Sequence, residues 1–217
     1  MRESTSITID GRGSLATVSC VLGIIVSGWL LNSLLFEDLG YNRTGILEGE
    51  VWRLLSSNFL HTNAFHMLLN GSGLLVLWFL HGNCFRNMEL VGGLLFISLL
   101  TTTGLFLFER DLIWYVGLSG ALHGLVVWGC FRDFSSHPYV STALLACLAA
   151  KLFWETDNTD FQLTADLIEA PVVTAAHLWG SLSGVLIVAV DSITRWCRQR
   201  CWHLRCLSCT GFRRSSS

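Results

Sequence analysis

The chain has 217 residues, 52% of them hydrophobic and only 14% charged, with a mean hydropathy of +0.52. That is far more apolar than a soluble domain of this length needs, so the composition excludes an ordinary soluble enzyme and points to a membrane protein. The net charge of −2 gives no reason to expect a nucleic-acid partner.

A transmembrane helix needs roughly 20 apolar residues to cross about 30 Å of hydrocarbon. Six stretches are read as spans, at 14–36, 64–83, 90–108, 118–131, 138–154 and 172–190, the fourth and fifth being the shortest. The fold class expected is therefore all-α, a polytopic bundle of six transmembrane helices. The first span is too long, and too poor in an Ala-x-Ala-type site, for a cleavable signal peptide. Residues 1–13 precede the bundle, which runs over 14–191, and 192–217 form a basic tail.

The connection 37–63 is not ordinary loop sequence. Val51, Trp52, Leu54, Leu55, Phe59 and Leu60 interrupt its polar residues at helix-compatible spacing, which predicts a segment lying partly in the interface. The second span then carries His66 and Asn70, two polar side chains one turn apart on an apolar helix. Both can donate hydrogen bonds, and polar residues inside a span usually serve a site or a helix contact.

The fourth span begins at Gly117-Leu118-Ser119-Gly120. Residues 118–131 make a helix of roughly 21 Å, well short of the ~30 Å core. With its inner end near Arg132 and Asp133, its N-terminus lies below the outer surface. Trp114-Tyr115-Val116-Gly117 then enters the membrane as non-helical chain, tolerated only where protein or a water-filled cavity covers it. Ser119 falls in the first turn, within reach of water, and His123 shares its face one turn on.

The fifth span ends on Lys151 and Glu155, also one turn apart, read as a snorkelling lysine with a weak pair. Were the chain to carry out acyl transfer to an amine in place of water, the two could help to place that amine. The sixth span carries His177-Leu-Trp-Gly180 and Gly184. Gly120 with Gly124, and Gly180 with Gly184, are small-xxx-small pairs that let two helices approach closely. Leu182-Ser183-Gly184 repeats part of the serine motif in mid-helix and is read as packing.

Arginines mark one side. The N-terminus, the 84–89 and 132–137 loops and the tail hold Arg2, Arg12, Arg86, Arg132, Arg195, Arg198, Arg200, Arg205, Arg213 and Arg214, against Arg43, Arg53 and Arg110 opposite. Both termini are expected in the cytoplasm. Cys20, Cys84, Cys130 and Cys147 avoid the outer loops, so no disulfide framework is expected. Cys206-Leu-Ser-Cys209 in the tail has the spacing of a metal knuckle. Its setting is short, basic and without a second half, which favours a lipid-surface segment anchored by Trp196, Trp202 and neighbouring arginines. No cofactor or metal is expected.

A serine attacks a carbonyl only when a base takes its proton, and His177 is the best candidate base for Ser119. His66, Asn70 and the Ser119 backbone amide could supply oxyanion donors, and His123 could pack against or hydrogen-bond the base. Each residue alone has a packing explanation; their convergence carries the reading.

Together these residues resemble the rhomboid family of intramembrane serine proteases. The motifs are Trp52-Arg53, His61 and His66 five apart, Asn70, Gly117-Leu-Ser119-Gly120, His177-x-x-Gly180-x-x-x-Gly184 and Asp191, over about residues 50–191. The resemblance implies a six-helix rhomboid-like bundle, Ser119 as nucleophile, His177 as its base, and His66 and Asn70 at the oxyanion hole. It implies that Trp52 and Arg53 mark a membrane-dipping loop, and that the substrates are transmembrane proteins in a lipid bilayer.

His123 stands where the best-known rhomboid pattern has tyrosine. Leu118-Ser-Gly-Ala-Leu-His123-Gly124 resembles the rhombosortase branch instead. That branch implies a bacterial inner-membrane enzyme, open to the periplasmic side, which removes C-terminal Gly-Gly sorting helices. Two other classes compete: an inactive rhomboid-like protein that binds membrane helices, and a proton or ion transporter. The retained serine and histidine weigh against the first. The lack of an inverted repeat and of intramembrane carboxylates weighs against the second.

Overall fold

The computed structural model describes residues 11–85, 87–157 and 162–210, with side chains from Thr17 to Thr194 apart from a few positions at breaks. Arg2, and the side chains of Arg12 and of the tail with the Cys206–Cys209 spacing, lie outside the described residues.

Helices occupy all six apolar segments. They are α1 (Gly11–Leu30), followed after one residue by α2 (Asn32–Leu39), then α5 (Ala64–His81), α6 (Asn87–Phe108), α7 (Ser119–Asp133), α8 (Pro138–Asp157) and α10 (Thr174–Thr210). Three helical stretches are long and apolar enough to cross a membrane, Ala64–Cys84, Met88–Phe108 and Thr174–Thr194, and Thr17–Leu30 is a shorter apolar one. Helix α7 has only 15 residues, and α8 ends on a turn holding Glu155 and Asp157. The last helix runs unbroken for 37 residues, so the expected sixth span and the start of the basic tail form one rod.

The 37–63 connection is built of short pieces: strand β1 (Tyr41–Asn42), α3 (Arg43–Leu47) and α4 (Arg53–Ser56). Arg53 pins them together. Its guanidinium donates to Glu50 at 2.6 Å and to the carbonyls of Glu37 and Gly40 at 2.6 and 2.8 Å, and the side chain is buried. Trp52 stays exposed, its Nε1 donating to the Asp38 carbonyl at 3.1 Å. Strand β2 (Trp114–Tyr115) pairs antiparallel with β1, Tyr41 opposite Tyr115. The non-helical chain expected before Ser119 is therefore present, and its backbone is tied down by a two-residue ladder and by Gly117 N–H donating to the Ser57 carbonyl at 3.1 Å.

Helix α7 is the centre of the bundle. It buries residues on every side, among them Gly120, Ala121, Leu122, Gly124, Leu125, Val127 and Trp128, as a helix that is apolar all round must. Its most extensive neighbour is α10, with α5, α6 and α8 completing the enclosure. Leu118, Ala121, Leu122 and Leu125 join Val18, Ile25, Leu74, Leu94 and Ile97 in the main core. The outer faces are apolar too: Leu68, Val76 and Phe79 on α5, and Leu178, Val185 and Ile193 on α10, are exposed. A surface this apolar suits a lipid rather than an aqueous surrounding.

Candidate active site

Each functional side chain is delivered by a helix end or a close helix crossing. Asn63 caps α5, its side chain accepting from His66 N–H at 2.9 Å, which sets His66 in the first turn. Asn63 Nδ2 also donates to the Leu167 carbonyl at 2.9 Å, and Thr62 Oγ1 to the Ile168 carbonyl at 2.6 Å. The start of α5 is thereby tied to α9 (Gln162–Ile168).

Ser119 opens α7 and is half-buried. The turn before it requires glycine: Gly117 has φ +118°, and a Cβ there would stand 2.7 Å from the His66 ring. Tyr115 Oη donates to the Gly117 carbonyl at 2.7 Å and fixes the turn from the other side.

The glycine pairs meet as expected. A Cβ on Gly180 would collide with the Gly120 carbonyl, one on Gly184 with the Gly124 backbone, and one on Gly120 would lie 2.7 Å from the Ala176 carbonyl. Helices α7 and α10 touch backbone to backbone, and that contact brings His177 Nε2 to 3.2 Å from Ser119 Oγ. The two residues that sequence separates thus stand at the distance of a nucleophile and its base.

His123 is brought in by stacking on His177 rather than by a hydrogen bond to it. Its ring lies on that of His177 with centroids 4.1 Å apart and planes 16° from parallel, while its Nδ1 donates to the Ser119 carbonyl at 2.7 Å.

The second-span pair also converges. Thr62 N–H donates to His66 Nδ1 at 3.4 Å, which leaves Nε2 of His66 as the N–H nitrogen, close to Gly117. Asn70 Nδ2 lies on the same spot, 3.5 Å from where a Gly117 Cβ would be, and is buried with no hydrogen-bond partner in the structure. Two donors thus flank the turn just before Ser119. His61 stands behind them, edge-on to His66 at 5.0 Å, and burial together with His66 pushes its imidazole down to about 3. It backs the site as a neutral ring. Trp52 and Arg53 line neither cavity at the site and instead hold the 37–63 connection.

Two cavities meet at Ser119 and His66. One, of about 270 Å³, is bounded by Thr62, the β2 edge at Trp114–Val116 and the 170–173 segment. The other, of about 710 Å³, runs between α5, α7 and α8 past His123 and His177, with walls that include Leu69, Val76, Leu80, Leu144 and Leu148.

One residue was misread in the sequence. Glu155 is not a surface partner of a snorkelling lysine: it is buried, and its two carboxylate oxygens lie 3.0 and 2.9 Å from His177 Nδ1. Lys151 Nζ donates to the same carboxylate and lies 3.3 Å from His177 Nδ1. The i, i+4 spacing of Lys151 and Glu155 was visible, but nothing in a linear chain says which face of α8 meets α10. Among the described residues, no group of side chains is arranged to hold a metal ion.

A serine hydroxyl thus faces an imidazole, with two donors beside it, inside a helical bundle whose apolar outer surface suits a membrane. The family model for the rhomboid domain matches residues 48–193, and the chain belongs to the rhomboid family. Rhomboid proteins are in general intramembrane serine proteases acting on transmembrane substrates, although inactive members exist. Comparison with curated proteins finds no match.

Proposed function

We propose that this rhomboid protein is an active intramembrane serine endopeptidase in which Ser119 is the nucleophile and His177 the general base. The observation that carries the reading is the 3.2 Å approach of His177 Nε2 to Ser119 Oγ at the junction of two cavities. A transmembrane substrate enters the larger, apolar cavity between α5 and α8, and its unwound segment presents an amide to Ser119. Oγ bonds to the carbonyl carbon as its proton passes to His177 Nε2. The carbonyl oxygen takes the negative charge and accepts from His66 Nε2, Asn70 Nδ2 and the Ser119 amide. When the C–N bond breaks, Nε2 returns the proton to the leaving amine. Water, deprotonated by the same nitrogen, then releases the acyl group.

The finer reading is that of a rhombosortase, which would cut transmembrane proteins ending in Gly-Gly sorting helices. Its support is the Gly-Leu-Ser-Gly-x-Leu-His-Gly run, with His123 packed on the base. In that reading all six apolar helices, the bundle at 14–191, span a bacterial inner membrane. Residues 1–13 and the tail 192–217 lie in the cytoplasm, and Ser119 opens to the periplasmic side. The arginine distribution supports this orientation.

The experiment is labelling of the reconstituted protein by a fluorophosphonate, together with cleavage of a membrane-anchored reporter ending in Gly-Gly, a hydrophobic helix and a basic tail. Labelling and cleavage that vanish in Ser119→Ala and His177→Ala are expected. Cleavage at the wild-type rate in either variant would overturn the assignment, and a folded protein that neither labels nor cleaves would be a helix-binding homologue. Cleavage of other transmembrane reporters with the Gly-Gly reporter left intact would retain the protease and remove the sorting role.

A further inference from the structure

The proposed reaction uses Ser119 and His177 and leaves a carboxylate unexplained. Glu155 is 4% exposed at the end of α8, facing a histidine rather than water. Removing a carboxylate from water costs several kcal/mol unless hydrogen bonds replace its hydration. Here both oxygens are directed at one nitrogen, His177 Nδ1, at 3.0 and 2.9 Å, and Oε1 also takes a hydrogen bond from Lys151 Nζ.

The proton positions follow from donor and acceptor rules. An ionised carboxylate only accepts, so the hydrogen it shares with His177 sits on Nδ1. Nε2 is then left with its lone pair, on the side that faces Ser119 Oγ at 3.2 Å. That is the tautomer a general base needs. Lys151 Nζ, 3.3 Å from Nδ1, cannot donate to a nitrogen that already carries a proton, so its hydrogen bond belongs to the carboxylate. The lysine anchors Glu155 and keeps it ionised. It stands at the rim, its side chain 45% exposed, while the carboxylate stays inside.

Resting on the serine-protease reading above, we propose that Glu155 is the positioning residue of a Ser119–His177–Glu155 triad. It holds His177 in the Nδ1–H form and stabilises the imidazolium that exists while Nε2 carries the serine proton. It takes up no proton itself, and Lys151 fixes its carboxylate in place. The assignment gives α8, which holds neither the serine nor the base, a direct part in the site.

The test uses the full-length protein reconstituted in liposomes, with a transmembrane reporter that the wild type cleaves and with Ser119→Ala as the inactive control. Glu155→Gln keeps the size and removes the charge. It is expected to lower kcat by about 100-fold or more with KM changed less than about threefold, the pattern of a residue acting through the base. Glu155→Asp, which restores an acceptor-only group, is expected to recover part of that loss. Thermal unfolding is followed in parallel. A folded Glu155→Gln protein with kcat within about threefold of wild type, beside an inactive Ser119→Ala control, overturns the triad and leaves the protease intact. Should the Ser119→Ala control itself cleave, the protease reading is what fails.

A second measurement does not depend on the Gln variant folding. In wild-type protein labelled with 15N-histidine, a strongly downfield Nδ1–H proton that disappears in His177→Ala is expected. Its absence overturns the assignment.

Discussion

The imidazole of His123 lies flat on that of His177, with ring centroids 4.1 Å apart and planes 16° from parallel. His123 is held there by its own helix, because its Nδ1 hydrogen bond to the Ser119 carbonyl ties it to the first turn of α7. In the proposed reaction it would support His177 as a flat wall, so what matters is an aromatic surface more than a titratable nitrogen. The expected outcome is that His123→Phe keeps cleavage within about tenfold of wild type, whereas His123→Ala, which lets His177 tilt, loses about 100-fold in kcat. Equal losses in the two variants would show that the wall is not the contribution.

Asn70 is the more isolated of the two side-chain donors proposed for the oxyanion: its Nδ2 is buried and unpartnered, aimed at the turn before Ser119. A donor that waits without a partner costs stability and is repaid when charge develops beside it. Asn70→Ala is expected to lower kcat about 100- to 1,000-fold while leaving KM and the unfolding temperature little changed or the latter raised. If kcat stays within a few-fold, the oxyanion is held elsewhere.

The close crossing of α7 and α10 leaves no room for a side chain. A methyl group at Gly180 would collide with the Gly120 carbonyl, which belongs to backbone and cannot swing aside. Gly180→Ala is expected to destabilise the protein by about 1–3 kcal/mol, and Gly180→Val by more, as overpacking does. Both variants should also lose fluorophosphonate labelling before they unfold, since pushing the helices apart lengthens the Ser119–His177 distance. Thermal unfolding in detergent, with labelling measured well below the transition, separates the two effects.

Much of this site could be read from the chain because its signals are local. The short fourth helix, the serine at its first turn, the non-helical entry through Trp114–Gly117 and the paired glycines all come from spacing along one segment, and the structure has each of them. The Glu155–His177 contact could not be read in this way. Residues 155 and 177 belong to different helices, and their meeting depends on how far α8 is rotated about its axis, which no pattern within α8 fixes. The six apolar segments were legible as helices, and so was the helical character of the stretch that holds α4, but β1, α3 and the way these pieces are tied together were not. Arg53 organises them through backbone carbonyls 13 and 16 residues away, and carbonyls carry no sequence signal.

At the end of α7 opposite Ser119, Asp191 receives Arg132 through two parallel hydrogen bonds, Nε to Oδ2 at 2.8 Å and a terminal nitrogen to Oδ1 at 2.9 Å. Arg132 also bonds Glu89 at 2.7 Å and the Cys84 carbonyl at 3.0 Å, and its guanidinium lies over the rings of Phe85 and Trp128. One planar group thus joins α6, α7 and α10, which an ammonium on a flexible stem cannot reproduce. Arg132→Lys is therefore expected to lower the unfolding temperature despite keeping the charge. A double-mutant cycle between Arg132→Gln and Asp191→Asn should give a coupling of about 1–3 kcal/mol. Because Arg132 stands about 20 Å along α7 from Ser119, cleavage per folded molecule should stay near the wild-type value in Arg132→Lys. A fall in that specific activity without a fall in stability would mean that this end of α7 governs the placement of Ser119.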